Sequence, residues 1–132
     1  MVPLSFKEIT ERLKTIDFPP VDVVIGIGTG GVPAATMVAF YLEAELQVLT
    51  MNYRDEQNNP RYETPRVLNQ PEWQLEGKRI LLVDDVSVSG KTMNAALELL
   101  KGFDVKTCAM KGKADFVLFP DIKDCVKWPW KP

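Results

Sequence analysis

Histidine is absent from the 132 residues, and cysteine occurs only at Cys108 and Cys125. Without an imidazole there is no Ser-His or Cys-His nucleophile pair, and two distant cysteines with no CxxC spacing do not make a zinc site. Positive charge is modest: 16 Lys and Arg stand against 18 Asp and Glu, a net charge of −2, with no long Lys/Arg run. That balance argues against a nucleic-acid partner held by phosphate neutralisation. It leaves room for a small anionic ligand, which needs only local charge and backbone N–H groups. No apolar run approaches the roughly 18 residues of a membrane span. The start, MVPLSFKEIT, lacks the basic region and apolar core of a secretory signal. The expectation is a cytoplasmic protein with reduced thiols and no membrane or nucleic-acid partner.

What is present has the proportions of an ordinary globular domain, 45% hydrophobic and 26% charged. There is no internal repeat, and the length suits a single domain over residues 1–132. Ser5 and Glu8 have capping-box spacing, with Phe6, Ile9 and Leu13 on one helical face, which predicts a helix from Ser5 to Ile16. Phe18-Pro19-Pro20 ends it. Val21 to Ile27 reads as a buried strand, Gly28 to Gly31 as a turn, and Val32 to Leu42 as a helix with Pro33 in its first turn. Leu46 to Met51 is a second strand, followed to about Asn69 by a polar loop or hairpin. Lys78 to Val83 is a third strand. Ser89 is placed to cap a helix that Gly102 ends, and Val105–Met110 and Phe116–Phe119 are further strands. Strands alternating with helices predict an α/β fold: a mostly parallel central sheet with helices on both faces. Ligands in such sheets sit at the carboxyl ends of strands.

Ile80-Leu81-Leu82-Val83 runs into Asp84-Asp85 and then into Val86-Ser87-Val88-Ser89-Gly90-Lys91-Thr92. Two carboxylates at the end of a buried strand can accept hydrogen bonds from vicinal hydroxyls or hold hydrated Mg²⁺. The hydroxyl-and-glycine bend at a helix start offers N–H groups to an anion. Together they suit a ribose phosphate. A P-loop ending in Gly90-Lys91-Thr92 would need a glycine where Asp85 stands.

Gly26-Ile27-Gly28-Thr29-Gly30-Gly31 also follows a strand and opens a helix, and it matches the dinucleotide pattern GxGxxG. That pattern expects an acid at the end of the next strand, where Met51-Asn52 stand instead. A dinucleotide module is therefore the weaker reading of this turn.

The string from Ile80 to Thr92 resembles the ribose-phosphate signature of type I phosphoribosyltransferases, with Ser89 in place of the usual threonine. Within that family the chain is most similar to the 6-oxopurine enzymes. The resemblance implies the family's fold, with a small hood from the C-terminal segment. It implies that Asp84 and Asp85 face the ribose hydroxyls, that Asp85 holds Mg²⁺, and that Val86 to Thr92 wrap the 5′-phosphate. It further implies that Gly28, Thr29, Gly30 and Gly31 form the pyrophosphate loop, with a cis peptide near Gly28-Thr29, although Thr29 stands where many relatives carry Arg or Lys. Tyr53 matches the tyrosine of a lid that shields an oxocarbenium-like transition state from water, while Asn52 departs from the usual Ser-Tyr pair. Arg54, Arg61 and Arg66 would meet pyrophosphate as that lid closes. Lys111 corresponds to the lysine that reads the base oxygen, and Cys125 and Val126 fall on the positions of the stacking aromatic and of the backbone that reads the base edge. Trp128 or Trp130 would replace the missing ring, or else serve in packing or a dimer contact. Val88 stands where the 6-oxopurine enzymes have aspartate.

The expected partners are 5-phosphoribosyl-1-pyrophosphate, a nucleobase (a purine by preference) and a second copy in a homodimer. The expected reaction is displacement of pyrophosphate from the anomeric carbon by a ring nitrogen. Thr29, Val88 and Cys125 support a second reading from another class: a regulatory member that binds the ribose phosphate or a nucleotide without turnover.

Overall fold

The structure is a computed structural model that describes residues 1–52, 66–67 and 73–131. Tyr53, Arg54 and Arg61 lie outside the described residues, and Arg66 enters only through its backbone.

The chain opens with a two-residue strand, β1 (Val2–Pro3), and helix α1 (Phe6–Leu13). The capping box is formed: Ser5 Oγ accepts from Glu8 N at 3.1 Å, and Ser5 N donates to Glu8 Oε1 at 3.2 Å. The regular helix stops at Leu13, earlier than the pattern through Ile16 suggests, because Thr15 N and Ile16 N fold back in tight turns onto Arg12 O and Leu13 O. Strand β2 (Val23–Gly28) is buried along its whole length, and α2 (Val32–Leu42) keeps the expected limits, with Pro33 in its first turn and Glu43 left-handed at its end. Strand β3 (Glu45–Asn52) pairs antiparallel with β4 (Arg66–Val67).

The remaining strands are β5 (Arg79–Ser87), β6 (Asp104–Gly112), β7 (Phe116–Val117) and β8 (Val126–Lys127), with α3 (Lys91–Leu99) between β5 and β6. The sheet order is β4-β3-β2-β5-β6-β7, and all neighbours except β3 and β4 are parallel. Ile9 and Leu13 of α1 and Ala34, Ala35 and Val38 of α2 pack with Leu81 and Val83 on one face. Met93, Ala96 and Leu100 pack with Ile25, Ile80 and Leu82 on the other. Successive β5 side chains thus serve opposite cores, as a strand buried on both faces requires. Among the described residues no helix is long and apolar enough to cross a membrane. Cys108 is buried, and burial pushes its thiol up to about 12; Cys125 is exposed, and both are free.

The carboxyl ends of the strands carry the candidate site, and a clamp at the other end joins two of them. Asp22 accepts from Arg79 N, Nε and Nη2 at 2.8–2.9 Å, joining the starts of β2 and β5. These bonds hold the Asp22 carboxyl well below the usual carboxylate range. The C-terminal segment forms the hood. β8 pairs with β1, and Arg12 ties 118–121 down through Leu118 O and Asp121 Oδ1, both at 2.7 Å. The Arg12 guanidinium also lies 4.5 Å from the Phe119 ring centre.

Helix α2 can lie close to β2 only because Gly26 has no side chain: a Cβ there would sit 2.5 Å from Ala35 Cβ. Gly26→Ala is expected to lower stability by about 1–3 kcal/mol through overpacking, read as a fall in urea midpoint with unchanged slope.

Candidate functional site

Strands β2 and β5 are direct neighbours, with Gly26 opposite Val83. The glycine turn that follows β2 and the acids near the end of β5 therefore emerge side by side. The contact is close. A Cβ on Gly31 would lie 2.6 Å from Ile27 O and 2.9 Å from Asp84 Oδ1, and one on Gly30 would lie 3.2 Å from Asp85 Oδ2. At Gly31 only glycine allows this approach, because the nearest obstacle is the Ile27 backbone. The turn is closed by Gly31 N to Ile27 O at 2.8 Å and Val32 N to Thr29 O at 3.2 Å, and its Gly28-Thr29 peptide is cis, as the resemblance implied. Thr29 and Gly30 are exposed.

The two acids lie within β5 rather than beyond it. The strand runs four residues past Val83, because Val86 and Ser87 still pair with Lys111 and Gly112 of β6. Asp84 is 8% exposed, and its Oδ1 accepts from Asp85 N at 2.8 Å. Asp85 Oδ1 accepts from Val86 N, also at 2.8 Å. Each acid is oriented by the next peptide. Burial, then the neighbouring Asp85 charge, push the Asp84 carboxyl far above its ordinary value.

Beyond the acids the chain bends. Ser87 is buried, and its Oγ has no hydrogen-bond partner among the described residues. Val88 and Ser89 are exposed. The cap of α3 is Gly90, left-handed at φ 79°, and not Ser89 as the sequence pattern suggests; Ser89 Oγ instead accepts from Lys91 N at 3.3 Å. Thr92 follows in the first turn of α3. Gly112, at φ 104°, buttresses the base of the bend: a Cβ there would fall 2.2 Å from Ser87 O, and Lys113 N donates to the same oxygen at 2.7 Å.

The residues assigned to the base also converge. Lys111 Nζ donates to the Asp124 carbonyl, which brings it beside Cys125 and Val126. Val2 N and Leu4 N take the carbonyls of Cys125 and Lys127, so the Val126 peptide edge faces away from β1. Trp128 does not supply a free ring. It is 3% exposed and packs on Phe119 and, in a parallel stack at 5.3 Å, on Trp130. One residue that no motif flagged also reaches the site: Lys131 Nζ lies 3.9 Å from Asp85 Oδ2. Among the described residues no group of three or more His, Cys, Asp or Glu gathers as a metal cage. Two carboxylates suit Mg²⁺ all the same, because this ion is bound by one or two carboxylates together with substrate phosphates.

The raised Asp84 pKa has a sign. Unfolded, the group loses its proton near pH 4; folded, it keeps the proton up to about 8. The folded state holds more protons in between, so without ligand stability falls as pH rises from about 4 to 8. Asp84→Asn preserves the acceptor for Asp85 N and removes the titration. At pH 8 the variant should melt several degrees higher than the parent, and the gap should shrink by pH 5; thermal melts at the two pH values check this.

Comparison with known proteins bears on the family and the fold. The model of the phosphoribosyl transferase domain matches residues 3–125. Orotate phosphoribosyltransferase of Sulfurisphaera tokodaii is 33% identical over 90 residues, 68% of this chain and 40% of that protein. The transcriptional regulator GfcR of Archaeoglobus fulgidus is 30% identical over 91 residues, 67% of this chain and 45% of that protein. The chain thus spans less than half the length of these curated relatives. The crystal structure of purine phosphoribosyltransferase from Pyrococcus horikoshii superposes with a TM-score of 0.79 over 99% of this chain and 94% of that one, at 21% identity, and so shares the fold. With the acid-bearing strand, the glycine turn beside it and a family match across most of its length, the chain belongs to the phosphoribosyl transferase domain family.

Proposed function

We propose that the chain transfers the phosphoribosyl group of 5-phosphoribosyl-1-pyrophosphate to a ring nitrogen of a nucleobase, a purine by preference, with release of pyrophosphate. The observation that carries this is the meeting of Gly30 and Gly31 with the carboxylates of Asp85 and Asp84. A ligand lying across that junction has hydroxyl acceptors on one side and turn N–H groups on the other. The bend from Val86 to Thr92 takes the 5′-phosphate. Gly28 to Gly31 take the pyrophosphate. Lys111, Cys125 and the outward peptide edge of Val126 border the base.

Asp85 would hold Mg²⁺ through Oδ2, which Val86 N does not engage and which Lys131 Nζ faces from 3.9 Å. The ion, when bound, neutralises the leaving pyrophosphate. The chain's own contribution is to hold ribose and phosphates in a fixed pose and to present donors that need no rearrangement. Tyr53 has its proposed place in the lid, outside the described residues.

The alternative, a binder without turnover, is favoured by a specific observation: proteins named transcriptional regulators are among the relatives that match, alongside orotate phosphoribosyltransferases. Val88 is 73% exposed at the bend and brings no acid or base to a purine. A homodimer is part of the proposal. The outer face of α2 exposes Phe40 and Tyr41, 86% and 40%, an apolar patch suited to a second copy.

Steady-state assays with guanine, hypoxanthine, xanthine, adenine and orotate, in Mg²⁺, test the reading. Turnover is expected on a purine. Asp85→Asn should cut kcat/KM by about 100-fold or more, the scale of losing a preorganised group at the transition state. Gly30→Val should abolish the thermal stabilisation by 5-phosphoribosyl-1-pyrophosphate. Stabilisation of the parent with no turnover on any base decides for the binder, and unchanged titrations in both variants remove the site assignment.

A further inference from the structure

Lys131 lies outside every motif, yet the tail delivers it to the acids. Trp130 stacks on the buried Trp128 and contacts Phe6, with ring centres 5.3 and 6.3 Å apart, so the backbone just before Lys131 is packed. Its side chain is not: Lys131 is 57% exposed, whereas its partner Asp85 is 16% exposed. The ion pair at 3.9 Å is at the long limit for such a contact, and with one partner in water it is held weakly. The oxygen it faces, Asp85 Oδ2, is the one that abuts Gly30. The ammonium therefore stands within a side-chain swing of the glycine turn.

That turn needs a cation. Thr29 is neutral, and the Asp85 carboxylate behind Gly30 repels an incoming pyrophosphate. Lys111 is engaged with the Asp124 carbonyl, and Lys91 begins α3 on the side of the bend. We infer that Lys131 binds pyrophosphate: it exchanges Asp85 for the pyrophosphate end of the ligand, and so makes the site prefer a ribose that carries pyrophosphate over one that carries only a 5′-phosphate. This rests on the proposed reading of the site as one for 5-phosphoribosyl-1-pyrophosphate.

Calorimetric titration of the full chain in Mg²⁺ separates the possibilities. The probes are 5-phosphoribosyl-1-pyrophosphate, inorganic pyrophosphate and ribose 5-phosphate. Lys131→Ala should weaken the two pyrophosphate-bearing ligands by about 10-fold, the scale of one charge-assisted contact, and leave ribose 5-phosphate within about 2-fold. Lys131→Arg should restore most of the loss. An equal loss for all three ligands marks a structural role and overturns the inference, and so does unchanged or tighter pyrophosphate binding in Lys131→Ala. If Asp85→Asn loses 5-phosphoribosyl-1-pyrophosphate while Lys131→Ala keeps it, the site reading stands and only the role of Lys131 falls. If the parent binds neither pyrophosphate ligand, both fall together.

Discussion

The structure turns on the contact between a side-chain-free turn and two carboxylates. Gly31 sits where any Cβ would strike both Ile27 O and Asp84, and Gly30 rests against Asp85. This close approach requires β2 and β5 to be adjacent, parallel and held in register. The apolar core on each face and the Asp22–Arg79 clamp at the far end supply that register. With the strands so fixed, backbone N–H groups and acid oxygens share one small volume, which is the arrangement a polyanionic sugar with free hydroxyls calls for.

The same geometry puts negative charge where water is scarce. Asp84 is buried beside Asp85, and its carboxyl is driven upward by desolvation first and by its neighbour second. A fold that keeps such a pair does so at a cost to its own stability, which is common where an acid must be poised for a ligand or ion. Relief comes from elsewhere in the chain: Lys131 from the C-terminal tail, and the peptide N–H groups of Asp85 and Val86.

The hood shows how a small domain makes a second wall without a second core. Its short strand pairs with the first residues of the chain, Arg12 ties it to α1, and the stacked Trp128 and Trp130 fill the gap beneath. Its inner edge then presents Asp124 to Val126 to Lys111 at the end of β6. The proposed base side and phosphate side thus lie on different elements, which meet where Val86 of β5 pairs with Lys111 of β6.

Much of this was legible in the chain itself. The capping box at Ser5, the limits of α2, the order of strands and helices and both candidate loops follow from local chemistry: cap spacing, proline in a first turn, β-branched runs and glycine where the chain must bend. The extension of β5 through Asp84 and Asp85 was not legible, because acids in a strand depend on a neighbouring strand, here β6, which pairs Ala109 with Asp84 and Lys111 and Gly112 with Val86 and Ser87. Nor was the burial of Trp128, which a Trp-Pro-Trp pattern leaves open, or the transfer of the α3 cap from Ser89 to Gly90, decided by a left-handed φ. By itself the sequence determined the elements, their order and the residue types at each loop, since these rest on interactions a few residues apart. The tertiary structure alone decided which loops touch, and that Lys131 reaches an acid 46 positions earlier, since such contacts depend on how strands pair and a tail packs.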